Sequence, residues 1–149
     1  MNQYFRQGIS IVEVLVVISI ILILSVVSFA ALTRVAPHYR LTGSAREMVA
    51  ALREAQSSTV STQARHLVRF NLGNDSYTNY RLAVDGSETE VSNTNLSRGI
   101  RFFQVNLTNN QITFTPSSAP LNYGTIILNN NLGEKITIEI TPVGQIKTY

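Results

Sequence analysis

The chain has 149 residues, of which 44% are hydrophobic, with no cysteine and a formal net charge of +3. That length accommodates one small domain and an accessory segment, which excludes a second domain of similar size. The lack of cysteine excludes disulfides and thiolate metal sites, and so small a net charge does not by itself indicate a nucleic-acid-binding protein.

The first predicted element is an apolar helix close to the N-terminus. Residues 14–32 are nineteen consecutive uncharged positions, and Glu13 is the single charge between residues 9 and 32. Nineteen helical residues span about 28 Å, close to the hydrocarbon thickness of a bilayer, and no polar face interrupts the run. The pattern predicts a membrane-spanning helix ahead of a polar domain that is rich in Asn, Thr and Ser.

Two other roles stay open for this apolar segment. A removed signal peptide would use Arg6 as its basic region and would be cleaved after Ala30. Against this, the apolar run exceeds the usual core of about 7–15 residues and carries an acid near its start. The second alternative is an ordinary single-span anchor for an external domain that has no role in a filament.

Residues 8–15, Gly-Ile-Ser-Ile-Val-Glu-Val-Leu, closely resemble the cleavage and methylation motif of type IV prepilins. In that family a short polar leader ends in Gly, an apolar residue follows, and Glu is the fifth residue of the mature chain. The resemblance implies a leader at residues 1–8, cleavage after Gly8 by the prepilin peptidase, and N-methylation of Ile9. Ile9 departs from the family pattern, in which Phe or Met is commoner, but it keeps the apolar character.

Glu13 is also unusual on physical grounds, because a carboxylate in an apolar segment is costly unless it is paired or reaches the membrane interface. Cleavage after Gly8 would create an amine at Ile9, four residues from Glu13. The resemblance implies that Glu13 of one subunit pairs with the Ile9 amine of its neighbour and so sets the register of a filament. The alternative is a glutamate that simply extends to the interface.

Beyond the apolar run, residues 37–65 continue the helical pattern and become amphipathic. Positions at alternating four- and three-residue spacing form an apolar stripe that we expect to pack on a sheet: Leu41, Ala45, Met48, Leu52, Ala55 and Thr59. Pro37 removes a backbone donor, which predicts a kink or local melting near Ala36. A linker between two separate helices is the alternative.

Residues 33–70 contain six arginines and two glutamates, which gives this segment a net charge of +4. Such a stem could contact anionic lipid headgroups or acidic faces of neighbouring subunits. A solvated helix face explains the same charges equally well.

From residue 66 the periodicity becomes that of β-strands separated by turn signals. Six to seven strands are predicted: 66–72, 77–84, 100–105, 111–115, 125–128, 135–141 and 145–149. The polar stretch 87–97 has little to bury and is given no strand. One long helix followed by short strands predicts an α+β fold, in which a small antiparallel β domain at residues 66–149 packs on the helix. The helix itself divides into a membrane or filament-core half, 9–36, and an amphipathic half, 37–65.

Several passages after the apolar helix resemble the GspH/FimT family of minor pilins. They are residues 45–55 leading into 68–70, then 112–116, 124–126, 136–138 and 144–146. The resemblance spans the chain, is diffuse after Leu32, and implies a pilin-like fold. It implies a structural subunit of a type II secretion system or a type IV pilus, whose partners are other pilin or pseudopilin subunits, the prepilin peptidase/methyltransferase and the cytoplasmic membrane. Such a subunit crosses that membrane once, with its globular domain outside the cytoplasm, before it enters a filament.

No catalytic constellation is found in the sequence, and we predict no enzyme activity, cofactor or metal. His38 and His66 have no ligand cluster around them, and no Gly-rich phosphate loop is present. Three acids surround the turn at Gly86: Asp85, Glu88 and Glu90. They lack the alternating oxygen ligands of calcium loops, so a solvated turn is the better interpretation.

DNA binding is the alternative function, because some FimT-like pilins bind DNA through a C-terminal Gly-Arg-x-Arg segment. The corresponding residues here are Gly144-Gln-Ile-Lys147, in which one lysine replaces two arginines. Most of the implied phosphate contacts are therefore lost. Arg98 and Arg101 would add to a basic patch only if the fold placed them beside Lys147.

Overall fold

The computed structural model describes residues 10–149, except for the side chains of residues 27–34. The predicted leader, with Gly8 and Ile9 at its cleavage site, lies outside the described residues. The chain divides into two compact units, one that ends at Ala36 and one from Pro37 to Tyr149.

A 52-residue helix, α1, runs from Ile11 to Thr62. Pro37 lies inside it without a break in the helix, so local melting near Ala36 and the alternative linker are both wrong, whereas the kink predicted there stays a prediction. A proline in a helix interior costs about 3 kcal/mol. The long helical runs on both sides of Pro37 outweigh that cost.

Eight strands follow α1 in the described part of the chain: β1 (Arg65–Asn71), β2 (Ser76–Leu82), β3 (Glu88–Asn95), β4 (Ile100–Asn106), β5 (Gln111–Phe114), β6 (Gly124–Asn130), β7 (Lys135–Ile140) and β8 (Ile146–Thr148). A short 3-10 turn at Thr108–Asn110 precedes β5. The strands form two antiparallel four-stranded sheets, in the orders β3-β2-β1-β5 and β4-β6-β7-β8. The α+β prediction is confirmed, but the single sheet expected from the sequence is two sheets.

Strand β3 was not predicted, because hydrophobic periodicity reports burial and this strand buries almost nothing. It pairs with β2 alone, from Ser76 opposite Asn95 to Leu82 opposite Glu88. An edge strand needs only its backbone hydrogen bonds, and charged residues on it discourage pairing with other chains. Polar side chains at residues 88–95 are therefore compatible with a strand.

The apolar stripe of α1 is confirmed as the centre of the core. Each of its six residues is 1% exposed or less: Leu41, Ala45, Met48, Leu52, Ala55 and Thr59. All but Thr59 belong to one cluster with apolar residues of both sheets, and Phe70 and Phe102 join the sheets edge to face at 5.8 Å. Full burial of a large apolar side chain contributes about 1.5–3 kcal/mol, so the stripe is what holds the β strands to the helix.

The turn before β8 is fastened to α1 by a side-chain amide. Gln56 Nε2 donates to the carbonyl oxygens of Ser118, at 2.8 Å, and Gly144, at 3.1 Å. Gly144 has φ +80°, and a Cβ there would lie 2.8 Å from Gln56 Nε2 and 2.9 Å from the Ser118 oxygen. The turn therefore needs glycine both for its left-handed backbone and for the close approach of Gln56.

Tyr77, on β2, gives the domain a measurable alkaline transition. Burial and the nearby carboxylate of Glu47 raise the pKa of Tyr77 to about 12, partly opposed by a hydrogen bond with Thr94. The tyrosine of an unfolded chain ionises near pH 10, so this group stabilises the fold below pH 10 and loses that contribution as pH rises through 12. We expect stability to fall by about 2 kcal/mol over that window.

Ultraviolet titration of tyrosinate, with thermal unfolding followed in parallel, checks this prediction. Tyr77→Phe should remove the last phase of the titration, and Glu47→Gln should shift that phase to lower pH. A Tyr77→Phe protein with an unchanged titration near pH 12 would contradict the assignment.

Candidate functional site

Residues 11–26 of α1 form the most extensive exposed apolar surface among the residues that the structure describes. The exposed fraction of its large apolar residues ranges from 45% at Val14 to 77% at Ile11. Soluble monomers rarely expose contiguous apolar surfaces of this kind. The surface is therefore a candidate interaction surface.

The polar groups on this surface are satisfied within the helix. Ser19 Oγ donates to the Leu15 carbonyl at 2.8 Å, and Ser25 Oγ donates to the Ile21 carbonyl at 2.7 Å. In a dry environment an unpaired hydroxyl is costly, and hydrogen bonds to the carbonyl four residues earlier remove that cost. These two serines are thus compatible with apolar surroundings.

Glu13 lies in the first turn of α1, where an acid interacts favourably with the helix dipole. Its side chain is exposed, and no cation of the described residues lies within ion-pairing distance. The partner implied by the prepilin resemblance is the amine of Ile9, which lies outside the described residues. Glu13 is thus an exposed acid on an otherwise apolar surface, and its pairing with the Ile9 amine of a neighbouring subunit stays a prediction.

Across the residues whose placement is described, no helix is both long enough and apolar enough to cross a membrane. The span predicted at residues 14–32 includes part of residues 27–34, whose side chains are not described.

The three basic residues considered for DNA are not brought together. Arg101 on β4 and Lys147 on β8 lie at opposite edges of the second sheet, with β6 and β7 between them. Three strand spacings amount to about 14 Å across the sheet, and the register also offsets the two residues by four positions along β7, because Arg101 aligns with Lys135 and Lys147 with Glu139. Lys147 is paired in register with Glu139, and Arg101 Nε lies 3.9 Å from an Asp75 carboxylate oxygen.

Arg98 is on the β4 side of the sheet, three residues before Arg101 in the chain. It lies in the turn that precedes β4, which is closed by a hydrogen bond of 2.9 Å from the Ile100 amide to the Ser97 carbonyl. The fold therefore separates Lys147 from the two arginines, Arg98 and Arg101.

Two of the three acids around Gly86, Asp85 and Glu88, have partners of their own. Asp85 accepts hydrogen bonds from the Ser87 amide at 2.9 Å and the Ser87 hydroxyl at 2.7 Å, which lower the pKa of Asp85. Glu88 accepts two hydrogen bonds from Arg69, at 2.8 and 3.1 Å. No group of three or more potential metal ligands occurs in residues 10–149 as described.

The two histidines also have structural contacts. His66 is buried, with Nδ1 at 3.3 Å from Asn79 Oδ1 and Nε2 at 3.4 Å from Thr62 Oγ1. His38 Nδ1 lies 3.4 Å from a carboxylate oxygen of Glu134. His66 links the end of α1 to β2, and His38 links the helix just after Pro37 to the β6–β7 turn.

A family model described as type II transport protein GspH matches residues 44–144. No curated protein matches the chain significantly. Two solved structures of the minor pseudopilin EpsH from the type 2 secretion system of Vibrio cholerae are similar in fold. One has a TM-score of 0.64 at 13% identity and covers 74% of this chain and 96% of EpsH. The other has a TM-score of 0.61 at 13% identity and covers 73% and 92%.

The type IV minor pilin FimU from Pseudomonas aeruginosa is similar as well. Its TM-score is 0.61 at 17% identity, with 75% of this chain and 90% of FimU covered. At these identities the likeness to both proteins concerns the fold.

Proposed function

The chain belongs to the GspH family of type II transport proteins, and from this membership we propose that it enters a pilus or pseudopilus filament through its N-terminal helix. It is a structural subunit of the minor pilin class, with the α+β fold of that class. The observation that carries the proposed route into the filament is the exposed apolar surface of residues 11–26, with Glu13 as its single charge. The family and fold are those of structural subunits rather than enzymes.

In this proposal the chain is made with a leader at residues 1–8, and the prepilin peptidase/methyltransferase cleaves after Gly8 and methylates Ile9. Residues 9–36 hold the subunit in the cytoplasmic membrane, with the β domain at 66–149 outside the cytoplasm. Residues 37–65 carry that domain through the buried stripe.

Assembly then moves an apolar helix from lipid into a bundle of similar helices. Because both environments are dry and apolar, the hydrophobic effect favours neither strongly, and packing and polar pairing decide the outcome. The hydroxyls of Ser19 and Ser25 are hydrogen-bonded within the helix, so neither environment has to supply a partner for them. Glu13 is the group that distinguishes the two environments, because the bundle adds the Ile9 amine of a neighbouring subunit as a partner for it.

The processing step predicts a defined N-terminus. When the full chain is co-expressed with a prepilin peptidase, mass spectrometry should find a mature protein that begins at Ile9 and carries one additional methyl group. Gly8→Val should leave the leader attached, because a side chain replaces the glycine of the motif. An intact Met1 in the native protein, or cleavage after Ala30, would contradict the proposal.

A further inference from the structure

Helix α1 has a second regular face, on the side away from the stripe that packs on the sheets. Small exposed residues occur on it at every seventh position, at Gly43, Ala50 and Ser57. Between consecutive small residues lie one exposed arginine and one exposed glutamate: Arg46-Glu47 in the first interval and Arg53-Glu54 in the second. These seven residues are the outer face of the helix.

The four charges of the outer face have no ion-pair partner within the described chain. Among the described residues, none of the four lies within 4.0 Å of an oppositely charged group. Charges three or four residues apart can pair along a helix, whereas neighbours in sequence diverge by about 100°. Each arginine of the outer face is the sequence neighbour of a glutamate, so this spacing prevents pairing within the helix. The four charges are therefore available to a second chain.

The two signs of charge lie on opposite flanks of the outer face. With 3.6 residues per turn, both arginines lie about 40–60° to one side of Ala50, and both glutamates lie about 40–60° to the other. The surroundings agree with this placement. Glu47 acts electrostatically on Tyr77 of β2, whereas Arg53 lines a groove together with Ser118 of the β5–β6 loop. Strands β2 and β5 lie on opposite sides of β1, so one flank is acidic and the other is basic.

This charge arrangement is complementary to itself in one orientation. When two copies face each other with their helices parallel, the twofold axis sets the acidic flank of each helix beside the basic flank of the other. When the helices are antiparallel, the axis instead sets acidic beside acidic and basic beside basic. A second copy in parallel orientation therefore supplies an opposite charge for all four residues.

The residues between the two flanks are small enough for a close approach of two helices. Gly43, Ala50 and Ser57 are exposed, and no atom lies within 4 Å of the place where a Cβ of Gly43 would stand. Packed helices lie about 8–10 Å apart, at a distance set by the side chains in the contact. Small residues at the centre give the lower end of that range, within which long charged side chains on the flanks reach each other.

We propose that the outer face binds the outer face of a second copy of this chain, in parallel and in register, with the arginines of each beside the glutamates of the other. The contact goes beyond the proposed function, because it lies within the unit from Pro37 to Tyr149 and needs no processing of the N-terminus. It is separate from filament entry, for which Glu13 is the proposed determinant. Exposed ion pairs contribute little individually, so the association is weak and is favoured where two chains are confined to one membrane or micelle.

Cysteine cross-linking of the full chain in detergent micelles tests this contact, because the natural sequence contains no cysteine. Ala50→Cys, at the centre of the outer face, should give a disulfide-linked dimer under mild oxidation. Adding Arg46→Glu and Arg53→Glu makes both flanks acidic and should lower the dimer fraction at least about tenfold. Adding Glu47→Arg and Glu54→Arg instead makes both flanks basic and should lower it as much. An equal mixture of the acidic and the basic variant should recover the dimer.

A matched control changes the same charge elsewhere. Arg65→Glu and Arg81→Glu, at exposed positions outside the outer face, should leave the dimer fraction of the Ala50→Cys protein unchanged. Thermal unfolding of every variant confirms that the domain is folded. A mixture that does not recover the dimer would overturn the proposal. An undiminished dimer in both charge variants would assign the association to the apolar surface of residues 11–26 instead.

The orientation of the pair is tested with Gly43→Cys and Ser57→Cys. In a parallel pair in register, each of these variants cross-links with itself. In an antiparallel pair centred on Ala50, the mixture of the two variants cross-links and neither variant does so alone, a result that contradicts the proposal. An Ala50→Cys protein that stays monomeric shows that two copies do not meet at this face.

Discussion

Glu13→Gln should reduce the incorporation of this subunit into filaments by at least about 100-fold. In the proposed bundle the carboxylate pairs with the Ile9 amine of a neighbour in a dry environment. Removing one partner of such a pair leaves an uncompensated buried charge and costs about 3–5 kcal/mol, which corresponds to a factor of 100 or more. The measurement is the fraction of the subunit found in sheared filaments after co-expression with the assembly machinery.

Glu54→Gln is the matched control, because Glu54 is an exposed glutamate of the same helix outside the apolar surface. It should leave incorporation unchanged. Thermal unfolding of the Glu13 variant should equal that of the wild type, since the core lies in the unit from Pro37 to Tyr149. Normal incorporation of the Glu13→Gln protein would show that the charge pair does not set the register.

Gly124→Ala should destabilise the β domain by about 2–4 kcal/mol. Gly124 begins β6 beside the end of β4, and a Cβ there would lie 2.0 Å from the carbonyl oxygen of Asn106 and 3.1 Å from its carbon. The obstacle is backbone rather than a flexible side chain, so β4 and β6 must separate locally to admit a methyl group. Thermal unfolding followed by circular dichroism should show a midpoint lower by roughly 10 °C or more.

Gly43→Ala tests the same substitution where space is available. Gly43 is exposed in the interior of α1, and no atom lies within 4 Å of its Cβ position. Alanine there should stabilise the protein by about 0.5–1 kcal/mol, because it restricts the unfolded chain and favours the helix. A Gly124→Ala protein as stable as the wild type would contradict the close approach of β4 and β6.

Features of the fold that depend on local periodicity were predictable from the sequence. The stripe from Leu41 to Thr59 follows helical spacing, and the structure buries every member of it. The strands with alternating burial were predicted within a few residues of their bounds. Strand β3 and the division into two sheets were not, because an exposed edge strand has no hydrophobic signal and sheet membership depends on long-range pairing such as that of β1 with β5.

The same distinction applies to the functional sites. The motif around Gly8 and Glu13 is contiguous in sequence, so a resemblance could suggest it, and the cleavage site stays a prediction. The family match covers residues 44–144 and supports the class of protein. The distance between Arg101 and Lys147 likewise follows from the strand order of the second sheet, which the sequence does not reveal.

The two hydrogen bonds from Gln56 to the carbonyls of Ser118 and Gly144 affect how this domain resists proteolysis. Strand β8 is three residues long and pairs with β7 alone, so it is the element expected to fray first and expose backbone to peptidases. The Gln56 amide holds the turn at Gly144, immediately before that strand. Fraying of β8 therefore stops at Gly144 unless contacts with α1 also break. One side chain on the helix thus limits trimming of the domain by peptidases, a task that a disulfide would perform in a chain with cysteines.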